Sequence, residues 1–182
     1  MVTTKPLTAA DLEELGPDYR WFELIDGVLH ERGTMGGRHG EIGFDLGLHV
    51  GIFVADHRLG RLYTSDTRFI LSRDPYTVRM PDVAFVRADR LPPEQERVGP
   101  MPLAPDLVVE VVSPDDRYEE VTQKIELYQR AGVPLLWLVE PRRKTVTIYA
   151  AGHEPRSLTA TDTLDGGNVL PGFSLPVADV FR

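Results

Sequence analysis

At 182 residues the chain has the length of one domain, and a 42% apolar composition is enough to bury a core, so disorder as the main state is excluded. Twenty Lys and Arg against 28 Asp and Glu leave a net charge of −8, which argues against nucleic-acid binding by general electrostatic attraction and leaves only a local basic groove open. The absence of cysteine excludes disulfides, cysteine-ligated zinc, iron–sulfur clusters and thiol catalysis.

Met1 to Leu15 carries Lys5, Asp11, Glu13 and Glu14 with no apolar leader core, and no apolar run approaches membrane-spanning length. The expectation is a soluble, cytoplasmic protein without a membrane partner. Only Lys5, Lys124 and Lys144 of the 20 basic residues are lysines, so Arg is the default solvated cation of this sequence. A lysine away from the solvent face therefore asks for a reason.

In chain order, Thr8-Ala9-Ala10-Asp11 resembles a capping box ahead of a short helix through Leu15, stopped by Gly16-Pro17. Asp26-Gly27, which tolerates positive φ, sits between two short strand-like runs and predicts a tight hairpin with Glu23 on its first strand. Ile42, Leu46, His49, Val50 and Phe53 predict one long helix over 38–57. Gly43, Gly47 and Gly51 form a stripe along it, which suggests close approach of another backbone. Strand-like runs follow at Leu62 to Leu71, Val78 to Val86 and Asp106 to Val112, the last two separated by a Pro-rich connection from Leu91 to Pro105. Val121, Ile125 and Tyr128 give the buried face of a helix that starts near Asp116 and stops at Gly132. Leu135 to Glu140 and Thr145 to Tyr149 form a strand pair around Pro141-Arg142-Arg143-Lys144, and Leu170 to Pro176 closes the chain. This order suggests a mixed β-sheet flanked by helices in a single α/β (α+β) domain over 1–182.

Glu110 is the anomaly of the sequence. It stands in the middle of Asp106-Leu107-Val108-Val109-Glu110-Val111-Val112, otherwise an apolar strand of the kind buried on both faces, where an unpaired charge costs several kcal/mol. It needs a partner, a proton or a metal. Asp82, in Pro81-Asp82-Val83-Ala84-Phe85-Val86, is a second carboxylate in an apolar strand, and two such acids on neighbouring strands would form a hard-oxygen site suited to Mg²⁺ or Mn²⁺. Lys124 follows by geometry. Taking Val121 as zero at roughly 100° per residue, Ile125 falls near 40°, Tyr128 near −20° and Lys124 near −60°, at the border of the buried face. Lys124 lies about 12 Å from the turn before its helix at about 1.5 Å per residue, and Glu110 about 10 Å from the same turn at roughly 3.3 Å per residue. The two come level.

At these residues the chain resembles a known family. Phe22-Glu23-Leu24-Ile25-Asp26-Gly27, Pro81-Asp82-Val83, the strand around Glu110 with Ser113-Pro114, Lys124-Ile125-Glu126-Leu127-Tyr128 through Gly132-Val133, Trp137 to Pro141, and Leu170-Pro171-Gly172-Phe173 are similar, in order and spacing, to the Uma-two family of restriction-endonuclease-like proteins within the PD-(D/E)XK nuclease superfamily. The resemblance spans nearly the whole chain. It implies a restriction-endonuclease-like mixed sheet flanked by helices and a metal-dependent endonuclease that hydrolyses phosphodiester bonds, with DNA as substrate, Mg²⁺ or Mn²⁺ as cofactor and a homodimer as assembly. It also implies Asp82 and Glu110 as metal ligands, Lys124 as the catalytic lysine, and Glu23 as the acid of the first hairpin that completes or supports the cation site. His39 matches a histidine at the start of the family's long helix. The superfamily pattern puts its lysine two residues after the acid; that position here is Val112, and the following helix supplies Lys124 instead.

Structural readings stand beside these. Glu110 with Lys124 reads as a buried ion pair without metal, Asp82 as a strand-end or turn residue after Pro81, Glu23 as an ordinary solvated or cross-strand residue, and Asp106 as a cap or turn residue at the strand start after Pro105. Arg142-Arg143-Lys144 reads as a solvated hairpin turn, with phosphate contact the alternative. At the level of function, the competing readings are a non-enzymatic nuclease-fold module that binds a protein or nucleic acid, and a hydrolase of small phosphodiesters, the latter favoured by the acidic surface.

Overall fold

The computed structural model describes residues 5–33 and 35–182. Residues 1–4, the opening of the segment read for an apolar leader, lie outside the described residues, as does Thr34. In chain order the elements are α1 (Ala9–Glu14), β1 (Phe22–Ile25), β2 (Val28–Glu31), α2 (Gly37–Asp56), β3 (Gly60–Thr64), β4 (Phe69–Arg73), β5 (Tyr76–Arg79) and β6 (Val83–Arg87). Then come β7 (Leu107–Val111), α3 (Tyr118–Arg130), β8 (Leu135–Glu140), β9 (Thr145–Ala150), β10 (Arg156–Leu158), β11 (Thr163–Gly166), β12 (Leu170–Pro176) and α4 (Val177–Val180). The described residues fall into two compact units: one from 5–33, 66–80 and 92–104, the other from 35–65, 81–91 and 105–182.

The first unit is built on a four-stranded sheet in the order β2-β1-β5-β4. Its β1–β2 turn places Asp26 at φ 52° and Gly27 at φ 77°, the left-handed pair that a two-residue hairpin requires. A Cβ on Gly27 would also lie 2.4 Å from the Pro6 side chain. At α1, Thr8 Oγ1 accepts the Asp11 N–H at 3.2 Å and Asp11 Oδ2 accepts the Thr8 N–H at 2.7 Å, closing the capping box. Ala9 and Leu12 then pack against Leu24 and Val78.

The second unit carries the central mixed sheet, ordered β10-β9-β8-β7-β6-β3, with helices on both faces. Ile42, Leu46, Val50 and Val54 of α2 pack on one face, against Val83, Phe85, Leu107, Val109, Val111 and Trp137. Helix α3 is the crossover between the parallel neighbours β7 and β8, and it lies over the other face, where the even-numbered residues of β7 point. The antiparallel β11–β12 hairpin and α4 add Leu164, Leu170, Phe173 and Val177 to the α2-side core.

Several boundaries differ from the sequence reading. The run Leu62 to Leu71 is two strands, β3 and β4, in different sheets. Val78 to Val86 likewise divides into β5 and β6, because Pro81 has no N–H to continue a ladder. Helix α3 starts at Tyr118 rather than near Asp116, whose Oδ2 instead accepts the Ser113 N–H at 2.9 Å. The expected backbone approach along the α2 glycines is absent. A Cβ on Gly47 or Gly51 would meet only the side chains of Val83 and Leu62, at 3.5 Å, and one on Gly43 would meet nothing within 4 Å.

Candidate active site

The local geometry of the acids follows from strand register. Val83 of β6 pairs with Val109 of antiparallel β7, so Asp82, the residue just before β6, lies beside the stretch of β7 that carries Glu110. Both carboxyls are buried, Asp82 at 7% exposure and Glu110 at 4%. Carboxylates held out of water need positive charge, a proton or strong donors from their surroundings.

Each acid has donors assigned to it. Asp82 Oδ2 accepts the backbone N–H of Val111 at 2.8 Å and lies 3.1 Å from Nε2 of His39 on the first turn of α2. Glu110 Oε1 accepts the Tyr128 hydroxyl at 2.6 Å, while Lys124 Nζ stands 3.5 Å from Oε2. Lys124 and Tyr128 are four residues apart on α3, hence one turn apart on the same face, and each addresses a different oxygen of one carboxylate. Lys124 remains partly exposed while Tyr128 is fully buried. Burial of His39 works against its protonation, but the hydrogen bond to Asp82 and the charges of Asp82 and Glu110 together outweigh it and raise its pKa above the usual histidine value.

His39 lines two cavities. One of about 400 Å³ is lined by His39, Gly43, Phe44, Leu62 and Asp82. A larger groove of about 990 Å³ runs beyond the carboxyl ends of β7 and β8 between α3 and the β9–β10 edge, and His39 lines it too. The carboxyl ends of parallel strands are where ligands of such sheets sit. Across this groove the sheet presents one continuous row: Glu110 pairs with Leu138, Leu138 with Thr147, and Thr147 with Ser157. Tyr149 also lines it, and burial, aided by the charge of Glu140 and the presence of Tyr118, pushes its hydroxyl pKa up.

The structure thus brings Asp82, Glu110 and Lys124 together and adds His39 and Tyr128. Glu23 lies in the first unit, 4% exposed, where its Oε1 accepts the Met80 N–H at 2.6 Å and its Oε2 pairs with Arg79 Nη1 at 3.1 Å. Asp106 is held by the Arg87 N–H at 2.9 Å and Arg90 Nη1 at 2.7 Å, a strand-start anchor. The sequence reading took Tyr128 as core alone; the signal it passed over is that a buried tyrosine hydroxyl needs a partner, and Glu110 was the nearest candidate in the same layer.

Among the described residues no group of three or more His, Cys, Asp or Glu side chains is arranged to hold a metal. Two carboxylates are nevertheless a donor set that Mg²⁺ accepts, since that ion keeps several of its waters and binds through one or two acids.

Residues 9–178 match the family described as "Uma2: Putative restriction endonuclease". No curated protein matches the chain. Among solved structures, the chain is similar to "a putative nuclease belonging to DUF820" from Anabaena variabilis ATCC 29413, with a TM-score of 0.83 and 22% identity over 97% of this chain and 98% of that one. At that identity the likeness is one of fold, and it agrees with the central mixed sheet and its flanking helices. With the family match running from α1 into α4, the chain belongs to the Uma2 family of restriction-endonuclease-like proteins.

Proposed function

We propose that the protein is a metal-dependent nuclease that hydrolyses phosphodiester bonds of DNA, with Asp82, Glu110 and Lys124 at its centre. The observation that carries this reading is two buried carboxylates on the neighbouring β6 and β7 segments, with an ammonium 3.5 Å from one of them. A purely structural role would be served better by apolar residues at these strand positions, since burying two like charges costs more than it returns.

A bound Mg²⁺ or Mn²⁺, held by Asp82 and Glu110, would polarise the phosphoryl oxygens and lower the pKa of a water. The chain's own groups prepare the site. The Val111 N–H fixes Asp82 in one rotamer, and the Tyr128 hydroxyl fixes Glu110, so both acids are oriented before substrate arrives. Lys124 brings a positive charge to the exposed side of Glu110, where it can orient the attacking water or neutralise charge that builds on the phosphate. His39, at the junction of the two cavities, donates a hydrogen bond to Asp82 and contributes to charge balance. Glu23, in the first unit, is held by Arg79 and the Met80 N–H, and this reading assigns it no step.

The test is cleavage of plasmid and single-stranded DNA with Mg²⁺ or Mn²⁺, running wild type beside Asp82→Ala, Glu110→Ala and Lys124→Ala proteins purified identically. Metal-dependent cutting that disappears in all three variants is the expected result. An inert wild type, or variants that cut equally well, overturns the reading.

A further inference from the structure

The groove of about 990 Å³ is larger and more apolar than a phosphodiester needs. Its floor includes Leu138, Val121 and Ile125, its walls carry Tyr149 and Tyr118, and its rim carries Arg142 and Arg143 in the β8–β9 turn. Tyr118, the first residue of α3, is 82% exposed. An aromatic side chain left open at the mouth of an apolar groove is an unused stacking surface. Thr147, which lines the groove, stands two strands away from Glu110, about 10 Å at the ordinary spacing of strands.

We infer that this groove receives an unstacked nucleobase of a single-stranded polynucleotide, with the ring against Tyr149 and Tyr118 and a flanking phosphate at Arg142 and Arg143. The inference rests on the nuclease reading only in placing the scissile phosphate at Asp82 and Glu110, and it names the substrate class of that site. Bases inside a duplex have both faces covered by their neighbours, so tyrosine platforms and an apolar floor stabilise only bases that are out of the stack.

Charge points the same way. In a chain of net charge −8, the groove balances three arginines against three carboxylates, which makes it a place of reduced repulsion for a polyanion. Arg38 is occupied with the Phe181 and Arg182 carbonyls at 2.6 and 2.8 Å. The Arg143–Glu140 pair, at 3.4 Å, has an arginine 76% exposed and holds it weakly, so a phosphate can displace the carboxylate. A duplex, with its higher charge density and wider footprint, would meet more of a chain whose net charge is −8. The hydroxyls of Thr147 and Ser157, 2.9 Å apart on the floor, offer polar contacts to a base edge.

The experiment is a binding titration in EDTA of wild-type protein with a short DNA oligonucleotide containing one 2-aminopurine, whose fluorescence is quenched on stacking, and with the same oligonucleotide annealed to its complement. The expected result is quenching on binding, with the single strand held at least about tenfold more tightly than the duplex. Tyr149→Ala and Tyr118→Ala should each weaken binding by about tenfold, the size of a lost base–aromatic stack. Tyr149→Phe, which keeps the ring, should bind as wild type and separates stacking from misfolding. Equal affinity for the duplex, or quenching indifferent to both alanine variants, overturns the inference, as does an apolar peptide that occupies the groove and resists displacement by the oligonucleotide. Plasmid cleavage without base quenching leaves the nuclease and removes this substrate class; quenching without any cleavage does the reverse.

Discussion

Each of the two compact units buries a carboxylate system on its sheet, and the two are solved differently. In the first, Glu23 meets a fixed arginine and a backbone N–H, and the pair Glu23–Arg79 is neutral with each side chain about 5% exposed. In the second, Asp82 just before β6 and Glu110 on the neighbouring β7 are both buried, and the groups brought to them are a lysine, a histidine and a tyrosine. Asp106, an anchor at the start of β7, follows the arginine pattern. Glu23 and Asp106 are thus each neutralised by an arginine. At Asp82 and Glu110 the chain instead uses groups that hold a compact charge or exchange a proton, which suits chemistry better than permanent pairing.

The largest expected effect separates the two systems by stability. Glu23→Gln removes the carboxylate from a buried guanidinium that cannot lose its charge, and it should destabilise the fold by about 3–5 kcal/mol, read as a lower urea midpoint at unchanged slope. A shift under about 1 kcal/mol would show that the pair is not the neutral structural unit described here.

Asp82→Asn should cost less. The amide oxygen can still accept the Val111 N–H, and His39, which loses its buried counter-charge, can release its proton as a guanidinium cannot, so stability should fall by no more than about 1 kcal/mol. Metal-dependent DNA cleavage should fall by about 10²–10³-fold, the scale of losing one group that acts on developing charge. A strong loss of stability in this variant would mean that Asp82 is held as Glu23 is, and the contrast between the units would collapse.

How far this contrast could be read before any coordinates depends on whether the information is local. Alternation along β7 and the rise per residue in strand and helix place Glu110 and Lys124 at one height, because both quantities are fixed by backbone geometry; their side chains lie 3.5 Å apart. The hairpin at Asp26-Gly27 and the stop at Gly132 are legible for the same reason, since positive φ is a property of single residues. Which strands are neighbours is not local. The pairing of β6 with β7, which brings Asp82 beside the β7 segment of Glu110, is set by core packing across the sheet, and the Pro81 break that separates β5 from β6 lies inside one strand-like run. His39 is 43 residues from Asp82 in sequence, and nothing in helical periodicity distinguishes it from the other histidines. The groove between α3 and the β9–β10 edge depends on β10, a three-residue strand too short and polar to announce itself.

Lys124→Arg makes the smallest change and asks the sharpest question about the comparison. The substitution keeps the positive charge beside Glu110 and introduces the cation that this chain uses for its other buried acids. Lys124 is about one-third exposed, so the pair contributes modestly to stability and the exchange should move it by less than about 1 kcal/mol. Activity should nevertheless fall at least tenfold, about 1.4 kcal/mol in transition-state stabilisation. A planar guanidinium spreads its charge over a fork, favours two-point contact with Glu110 itself, and keeps its protons at any working pH, whereas an ammonium places a compact charge and three donors toward the water side. Equal cleavage by the arginine variant would make residue 124 a counter-charge and nothing more, on the same footing as Arg79. Reduced cleavage at unchanged stability would mean that the chain departs from arginine here because the position requires lysine chemistry.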